Sequence, residues 1–413
     1  MILNFILLLW LFASSDSVKI YNSFSANIKE NDLTRDKRSI VTAERERWRF
    51  PLSYFIEDGL NKDNIKAAIK KFESQTCLRF FKSTRLQADK QGLHFQPHQY
   101  CGTIIGNIYG DKAHVLGVDD YCNSSVGALQ YLMGYTFGMV NQQSRSDRDK
   151  YVDVFMENVE PDDVLGFRKY DETEAEHYGL GYDFGSIFQY GIREFSVNGN
   201  YTILPKVILY KYMMGQRVGF SFNDYKLLNF HYCQKQIRKS AGKKLTCLNS
   251  GYPDPNKKGK CKCPHGYAGQ RCDRIDCSDK KCAKTKYIAK SKYQKLKVQG
   301  KKNCTFLIQA PKGHRINIKV LQSITPKGKP CLKNSGLEIK HYKDKGATGL
   351  CVCGMKRDYE LSSEDNKVLV IYKGLEASNM VQMEYKSYKQ KNHHKPSHKP
   401  KPKKKVNQKG RHN

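Results

Sequence analysis

Apolar positions along the first half of the chain alternate between two rhythms. Trp48 to Leu60 opens with Arg-Phe-Pro-Leu-Ser-Tyr-Phe-Ile, an apolar strand-like run around a proline. Ile65, Ala68, Ile69 and Phe72 then fall at helical spacing and predict a helix over 64–72. A strand pattern resumes at Thr76–Phe80, and Cys101 and Cys122 bracket a stretch rich in Gly, Val and Ile. Tyr131 and Tyr135, four apart with Leu132 and Met133 beside them, predict one packed helix face. Tyr151–Val159 is again strand-like. Strands alternating with helices over roughly two hundred residues predict an α+β domain.

The pattern changes beyond residue 277. Asn303–Val320 and Gly336–Tyr342 alternate apolar with polar, and Val368–Tyr372 reads as a buried strand, so 277–386 predicts a β-rich module. The last stretch, Lys389–Asn413, holds ten Lys or Arg, four His, three Pro and no acid, and cannot bury a core. At the other end, Ile2–Ala13 is a short apolar run followed by small residues. It reads as a signal peptide (1–17) and is too short to span a bilayer; no other stretch is long and apolar enough for a transmembrane segment.

Charge sharpens this division. The chain of 413 residues carries a net +32, but residues 39–233 hold 22 Lys and Arg against 24 Asp and Glu. Residues 234–413 hold 45 against 12, an excess of 33, and mark the C-terminal half as the surface that meets a polyanion. Fourteen cysteines behind a signal peptide point to disulfides and an oxidising compartment. The sequons at Asn123, Asn200 and Asn303 fit the same route. Arg35-Asp-Lys-Arg38 reads as a convertase site, so that 18–38 forms a removable leader ending at Arg38.

Candidate chemistry centres on Tyr131–Lys150. Its spacing matches the zincin pattern H-E-x-x-H-x-x-G-x-x-H, with Gly138 at the helix-ending glycine. The tail Gln143-Ser-Arg-Ser-Asp-Arg-Asp-Lys-Tyr-Val resembles the run after the third histidine in the astacin family of secreted zinc metalloproteases. Tyr182-Asp-Phe-Gly-Ser-Ile-Phe-Gln-Tyr190 resembles that family's Met-turn, Gly215–Tyr225 its closing segment, and Phe24-Ser-Ala-Asn-Ile its propeptide motif. The resemblance places Tyr131, Tyr135 and Asn141 at the three zinc-ligand positions and Leu132 at the general base. Phe188 stands at the Met-turn methionine, and Tyr190 is the retained tyrosine. Neutral phenols and an amide are poor ligands for zinc, and leucine cannot take a proton from water. Phe188 can fill space that an absent ion and its water leave.

The resemblance also implies the disulfides Cys77–Cys233 and Cys101–Cys122. Downstream, Cys261-Lys-Cys-Pro-His-Gly-Tyr-Ala-Gly-Gln-Arg-Cys272 resembles an EGF-like module (234–276) with two of the usual six cysteines missing. The four that remain can close as Cys247–Cys261 and Cys263–Cys272. Cys304-x-Phe-x-Ile-x-Ala-Pro-x-Gly resembles a CUB module (277–386), a sandwich; its six cysteines leave the pairing open, and its acidic calcium-site residues are not evident. A basic tail, 387–413, follows.

The expected protein is a secreted, extracellular homologue of nematode-type astacins that has lost its catalysis, needs no cofactor, and acts by binding an extracellular protein or peptide. One alternative is an active zinc endopeptidase, with zinc as cofactor; His94 and His98 are the nearest spare pair. Another is a matrix protein gripping sulfated glycans through its basic half. Secretion argues against nucleic acid as a partner.

Overall fold

The computed structural model describes residues 40, 47–87, 89–170, 176–276, 278–282 and 284–389. The expected signal peptide, the leader with Arg38, and the tail beyond Lys389 lie outside the described residues.

The front domain starts with a parallel sheet. Strand β1 (Leu52–Ile56) is followed by α1 (Lys62–Gln75), then β2 (Phe80–Lys82), β3 (Gly92–Pro97) and β4 (Ala113–Val118), in the spatial order β2-β1-β3-β4. Helix α1 begins where the Asn61 side chain accepts from the amides of Asp63 and Asn64, and it buries Ile65, Ala68, Ile69 and Phe72. After α2 (Asp120–Ser124), Ser125 caps α3 (Val126–Thr136), in which every residue from Gly127 to Thr136 is buried. A helix enclosed on all sides is a core element. It stops at Gly138, whose φ of 88° lets the amides of Gly138 and Met139 turn back onto the carbonyls of Tyr135 and Gly134.

The strand expected over Tyr151–Val159 is shorter. Val152–Val154 (β5) pairs antiparallel with β6 (Ile203–Pro205), Met156–Asn158 turns away in a 3-10 helix, and Val159 makes a single bridge to Ser196. The chain then runs through the tight turn 182–190 to α4 (Phe222–Tyr232). Ser221 and Asp224 form a capping box there, and Asp224 also receives the Ser186 hydroxyl at 2.6 Å and the Ile187 amide at 3.2 Å. One carboxylate thus ties the turn to the helix. Helix α5 (Gln234–Ala241) follows α4 after a break at Cys233, which lies outside both helices. Disulfides join Cys77 to Cys233 and Cys101 to Cys122.

Two small hairpins follow, β7 (Tyr252–Pro253) with β8 (Cys261–Lys262) and β9 (Tyr267–Ala268) with β10 (Arg274–Ile275), closed by Cys247–Cys261 and Cys263–Cys272. The last module is a sandwich. Its strands are β11 (Lys286–Ile288), β12 (Gln294–Gln299), β13 (Lys302–Gln309), β14 (His314–Ile324), β15 (Leu337–Lys340), β16 (Leu350–Val352), β17 (Met355–Ser362), β18 (Lys367–Gly374) and β19 (Met380–Lys389). One sheet runs β11-β13-β18-β15-β16 and the other β12-β19-β14-β17. The last strand continues past the boundary expected at 386. Cys282–Cys304 and Cys331–Cys353 are bridged; Cys351 is a free thiol, buried so that its ionisation is strongly disfavoured.

The sandwich and the front domain share one core. Tyr182, Phe184, Tyr210 and Met213 of the front domain pack in the same cluster as Ile339, Leu350 and Val352. The loop 341–349 carries the polar half of this joint. Asp344 accepts from the Gly181 amide and the Asn223 side chain, both at 2.9 Å, and the Thr348 amide reaches Asp183 at 3.0 Å. A Cβ on Gly185 would come within 2.6 Å of Thr348, so the approach needs glycine there. His341 sits between the Tyr210 hydroxyl at 2.8 Å and the Ser362 carbonyl at 3.0 Å.

Burial pushes the His341 pKa down to about 4, as it does for His114, and to about 3 for His231. All three stay neutral in the fold at pH values where the unfolded chain binds protons, so their contribution to stability is present above about 6.5 and lost as pH falls through their folded values. The melting temperature is therefore expected to fall on acidification from about pH 6.5 towards 4. His341→Gln should reduce that slope. An unchanged slope in H341Q, followed by scanning calorimetry against pH, would show that His341 is not held neutral in the joint.

Candidate functional site

The three oxygens at the expected ligand positions meet in the structure. The Tyr135 hydroxyl donates to the Asn141 carbonyl oxygen at 2.5 Å and lies 2.7 Å from the Tyr131 hydroxyl, which is itself 3.3 Å from the same Asn141 oxygen. Helix α3 supplies the two phenols on one face, and the turn after Gly138 brings Asn141 back to them. All three residues are buried. Leu132, at the general-base position, is buried in the apolar core of the front domain.

Phe188 forms the floor. It is fully buried, and its ring lies 5.1 Å from that of Tyr131 and 5.4 Å from that of Tyr135. Gly134 lets the floor approach this closely, since a Cβ there would stand 2.4 Å from Phe188. Tyr190 is buried against Phe167 and Phe195, and its amide donates to the Gln143 side chain at 3.2 Å. A 3-10 segment, Pro161–Phe167, lies over it; a Cβ on Gly166 would be 3.0 Å from the Tyr190 hydroxyl. The cavity remaining between Tyr135, Asn141, Gly166 and Tyr190 is about 30 Å³, room for on the order of one water and none for a peptide.

The charge nearest the cluster comes from the protein. The Arg217 guanidinium lies 4.4 Å over the Tyr131 ring and pairs with Glu194 at 2.6 Å. It also donates to the carbonyls of Ile187, Gln189 and Gln216. Burial is the largest single influence and works against its charge, but Glu194 and the neighbouring Tyr131, Tyr135 and Tyr190 together outweigh it, and the guanidinium stays protonated. Burial likewise raises the pKa values of Tyr131, Tyr135 and Tyr190, so all three phenols are neutral at any physiological pH.

Residues 40–233 match the family model described as Astacin, a peptidase family, and residues 277–386 match the CUB domain model. The front half is an astacin domain. "Zinc metalloproteinase nas-34" of Caenorhabditis elegans is 32% identical over 345 residues, 83% of this chain and 56% of the relative. "Zinc metalloproteinase nas-37" of the same organism is 29% identical over 84% of this chain and 44% of its own length. The chain thus spans about half the length of the curated relatives it matches. Among solved structures, High choriolytic enzyme 1, a hatching enzyme zinc-protease from Oryzias latipes (Medaka fish), aligns at 25% identity with a TM-score of 0.41, over 45% of this chain and 94% of that one.

Zinc, which this family implies, does not fit the residues of this astacin domain. Its ligands must offer a lone pair from imidazole, thiolate or carboxylate. Here the three candidate oxygens are hydrogen-bonded to one another, and burial holds both phenols in the neutral form. Among the described residues, the one cluster of three side chains of metal-ligating type is Cys101, Asp119 and Cys122, and its two cysteines are bridged to each other. His94 and His98 offer no replacement. His94 Nε2 lies 2.7 Å from Glu57, and in extended chain residues four apart are about 13 Å apart.

Sequence reading missed Arg217 and Glu194 as a pair. Arg217 lies in the quoted closing segment, but nothing in the pattern around Glu194 marks it as the partner. Arg217→Met leaves the Glu194 carboxylate buried without compensation and is expected to cost about 3–5 kcal/mol in urea unfolding. In E194Q/R217M the loss should be smaller than the sum of the two single losses. Additive single losses would mean the pair is not coupled.

Proposed function

We propose that this chain is a secreted, catalytically inactive astacin homologue that acts by binding an extracellular protein or peptide. The observation that carries the reading is the closure of Tyr131, Tyr135 and Asn141 on one another, with Leu132 where a base is needed. Removing the groups that hold zinc and activate water abolishes the chemistry without touching the surfaces that bind a partner. The two hairpins closed by Cys247–Cys261 and Cys263–Cys272 support an EGF-like module between the astacin and CUB domains. Among the described residues no helix is long and apolar enough to cross a membrane. Asn200 and Asn303 are exposed and open to glycosylation, while the Asn123 side-chain carbonyl accepts from the Asn61 amide at 2.6 Å.

Purified protein dialysed against metal-free buffer is expected to contain no stoichiometric zinc and to leave casein intact. A chelator should leave its melting temperature unchanged, whereas a reductant should lower it sharply through loss of Cys77–Cys233. Stoichiometric zinc with chelator-sensitive cleavage would overturn the reading in favour of the active zinc endopeptidase that the relatives' names describe.

The charge split favours a second binding role, for sulfated glycan at the basic half. The sandwich contributes folded cations to it: Lys319 and Lys386 flank the Tyr293 ring at 5.2 Å and 4.4 Å. Such binding is Coulombic and screened over roughly 8 Å at physiological salt. On a heparin column the full chain is expected to be retained at physiological salt, and a chain cut before Lys389 to elute earlier but still after the void. Flow-through of the full chain would end this reading.

A further inference from the structure

A cavity much larger than the one beside Tyr135 and Tyr190 is lined by none of Tyr131, Tyr135, Asn141 or Tyr190. It has a volume of about 420 Å³, within the range of roughly 300–1,000 Å³ typical of ligand pockets. It lies where the astacin domain, the two-hairpin unit and the sandwich meet. Helices α1, α3 and α4 and the segment 218–222 supply one wall, β8 and the turn after it a second, and the sandwich a third. No single module contains it.

Its charges are unbalanced. Four lysines line it: Lys71, Lys262, Lys333 and Lys340. The single carboxylate among the lining residues, Glu338, is already saturated. His265 Nδ1 lies 2.5 Å from it, Lys340 Nζ 3.3 Å, and the Gly349 amide donates at 2.9 Å. Lys340 is likewise closed, since its other protons go to the carbonyls of Lys345 and Ala347. Lys262 is shared between Gln75 at 3.1 Å and Asp254 at 3.8 Å. Lys71 and Lys333 are exposed and have no carboxylate within ion-pair distance among the described residues. Two uncompensated ammonium groups therefore face a space whose only lining acid is spoken for.

The floor is apolar. Phe220, Tyr225 and Tyr252 line it, and an adjoining notch of about 140 Å³ between Met213, Val218 and Leu332 shares Val218, Phe220 and Lys333 with the main cavity. Val218 is 69% exposed at its lip, an apolar side chain with nothing over it. A site that offers cations on one side and an apolar notch on the other recognises an anion joined to an apolar group.

We infer that this junction is the binding site of an acidic peptide segment carrying one large apolar side chain. The carboxylates would meet Lys71 and Lys333, and the apolar side chain would enter the notch beside Val218. A sulfated glycan would satisfy the lysines but leave the notch empty. The inference rests on the binding reading above and gives that reading a place and a ligand class. Because three modules build the walls, the site exists only while they are docked, and it is distinct from the closed astacin cleft.

The test uses the full chain and fluorescence anisotropy at physiological salt, with a short labelled peptide of glutamates around one central phenylalanine. The same peptide with serine at the centre and a labelled heparin oligosaccharide serve as comparisons. Binding of the phenylalanine peptide should exceed that of the serine peptide. It should weaken about tenfold in K71E/K333E and by a similar factor in Val218→Asp. These three side chains are exposed, so the variants should keep the parent melting temperature; heparin binding should be insensitive to V218D. No binding of the phenylalanine peptide, equal binding of the two peptides, or indifference to V218D would overturn the site. Mass spectrometry of the recovered peptide separates the two claims: cleavage would overturn catalytic inactivity, whereas an intact but unbound peptide overturns the junction site alone.

Discussion

Buried polar groups must find partners, and in this astacin domain they find one another. Tyr131, Tyr135 and Asn141 converge because α3 and the turn at Gly138 force them together, whatever residues occupy those places. Oxygens brought so close without partners would each carry a desolvation cost of about 1–3 kcal/mol. The phenols donate and the amide carbonyl accepts, so the cluster closes without an ion. Phe188 beneath and Arg217 alongside complete the environment. The convergence that serves a metal in a zinc enzyme serves packing here, and the geometry of the backbone does not have to change.

The same economy holds for the larger architecture. The turn 182–190 would frame the floor of a metal site, yet in this chain it also carries the joint to the sandwich. Its Gly185 lies against Thr348, its Asp183 accepts the Thr348 amide, and the neighbouring Gly181 donates to Asp344. One segment therefore contacts the replaced site on one side and the next module on the other. This coupling ties the turn's shape to the fold, since altering it would disturb a core that spans both domains.

Much of this was legible in the sequence, and the rest was hidden for definite physical reasons. Helix α1 could be read because Ile65, Ala68, Ile69 and Phe72 fall on one face, the α+β domain and a β-rich module followed from spacing and alternation, and the sandwich from the resemblance to CUB modules. The positions of Tyr131, Tyr135 and Asn141 could be read from motif spacing, but their closure into a hydrogen-bonded cluster depends on rotamers that spacing does not encode. The pair Arg217–Glu194 joins segments 23 residues apart through the interior, and no local pattern announces it. Strand β5 was overestimated because the chain leaves the ladder after Val154 and turns into the 3-10 helix Met156–Asn158. In the sandwich, the bridges Cys282–Cys304 and Cys331–Cys353 depend on strand order, which alternation alone leaves open.

Installing a metal site here would therefore take more than four substitutions. Histidines at 131, 135 and 141 with a glutamate at 132 would reinstate ligand types, but the glutamate would enter the apolar cluster that now holds Leu132 beside Met133. An ion among those histidines would lie close to the Arg217 guanidinium and above the Phe188 ring, in space the present side chains fill to within a cavity of about 30 Å³. The segment Pro161–Phe167 would still cover Tyr190, because its grip runs through Gln143, Ser144 and the Gly166 carbonyl, none of which those changes touch. The cluster is continuous with the core of the front domain. Each surrounding contact that adapted to the closed cluster now resists its reopening, and the surfaces left free to act are those outside the cleft.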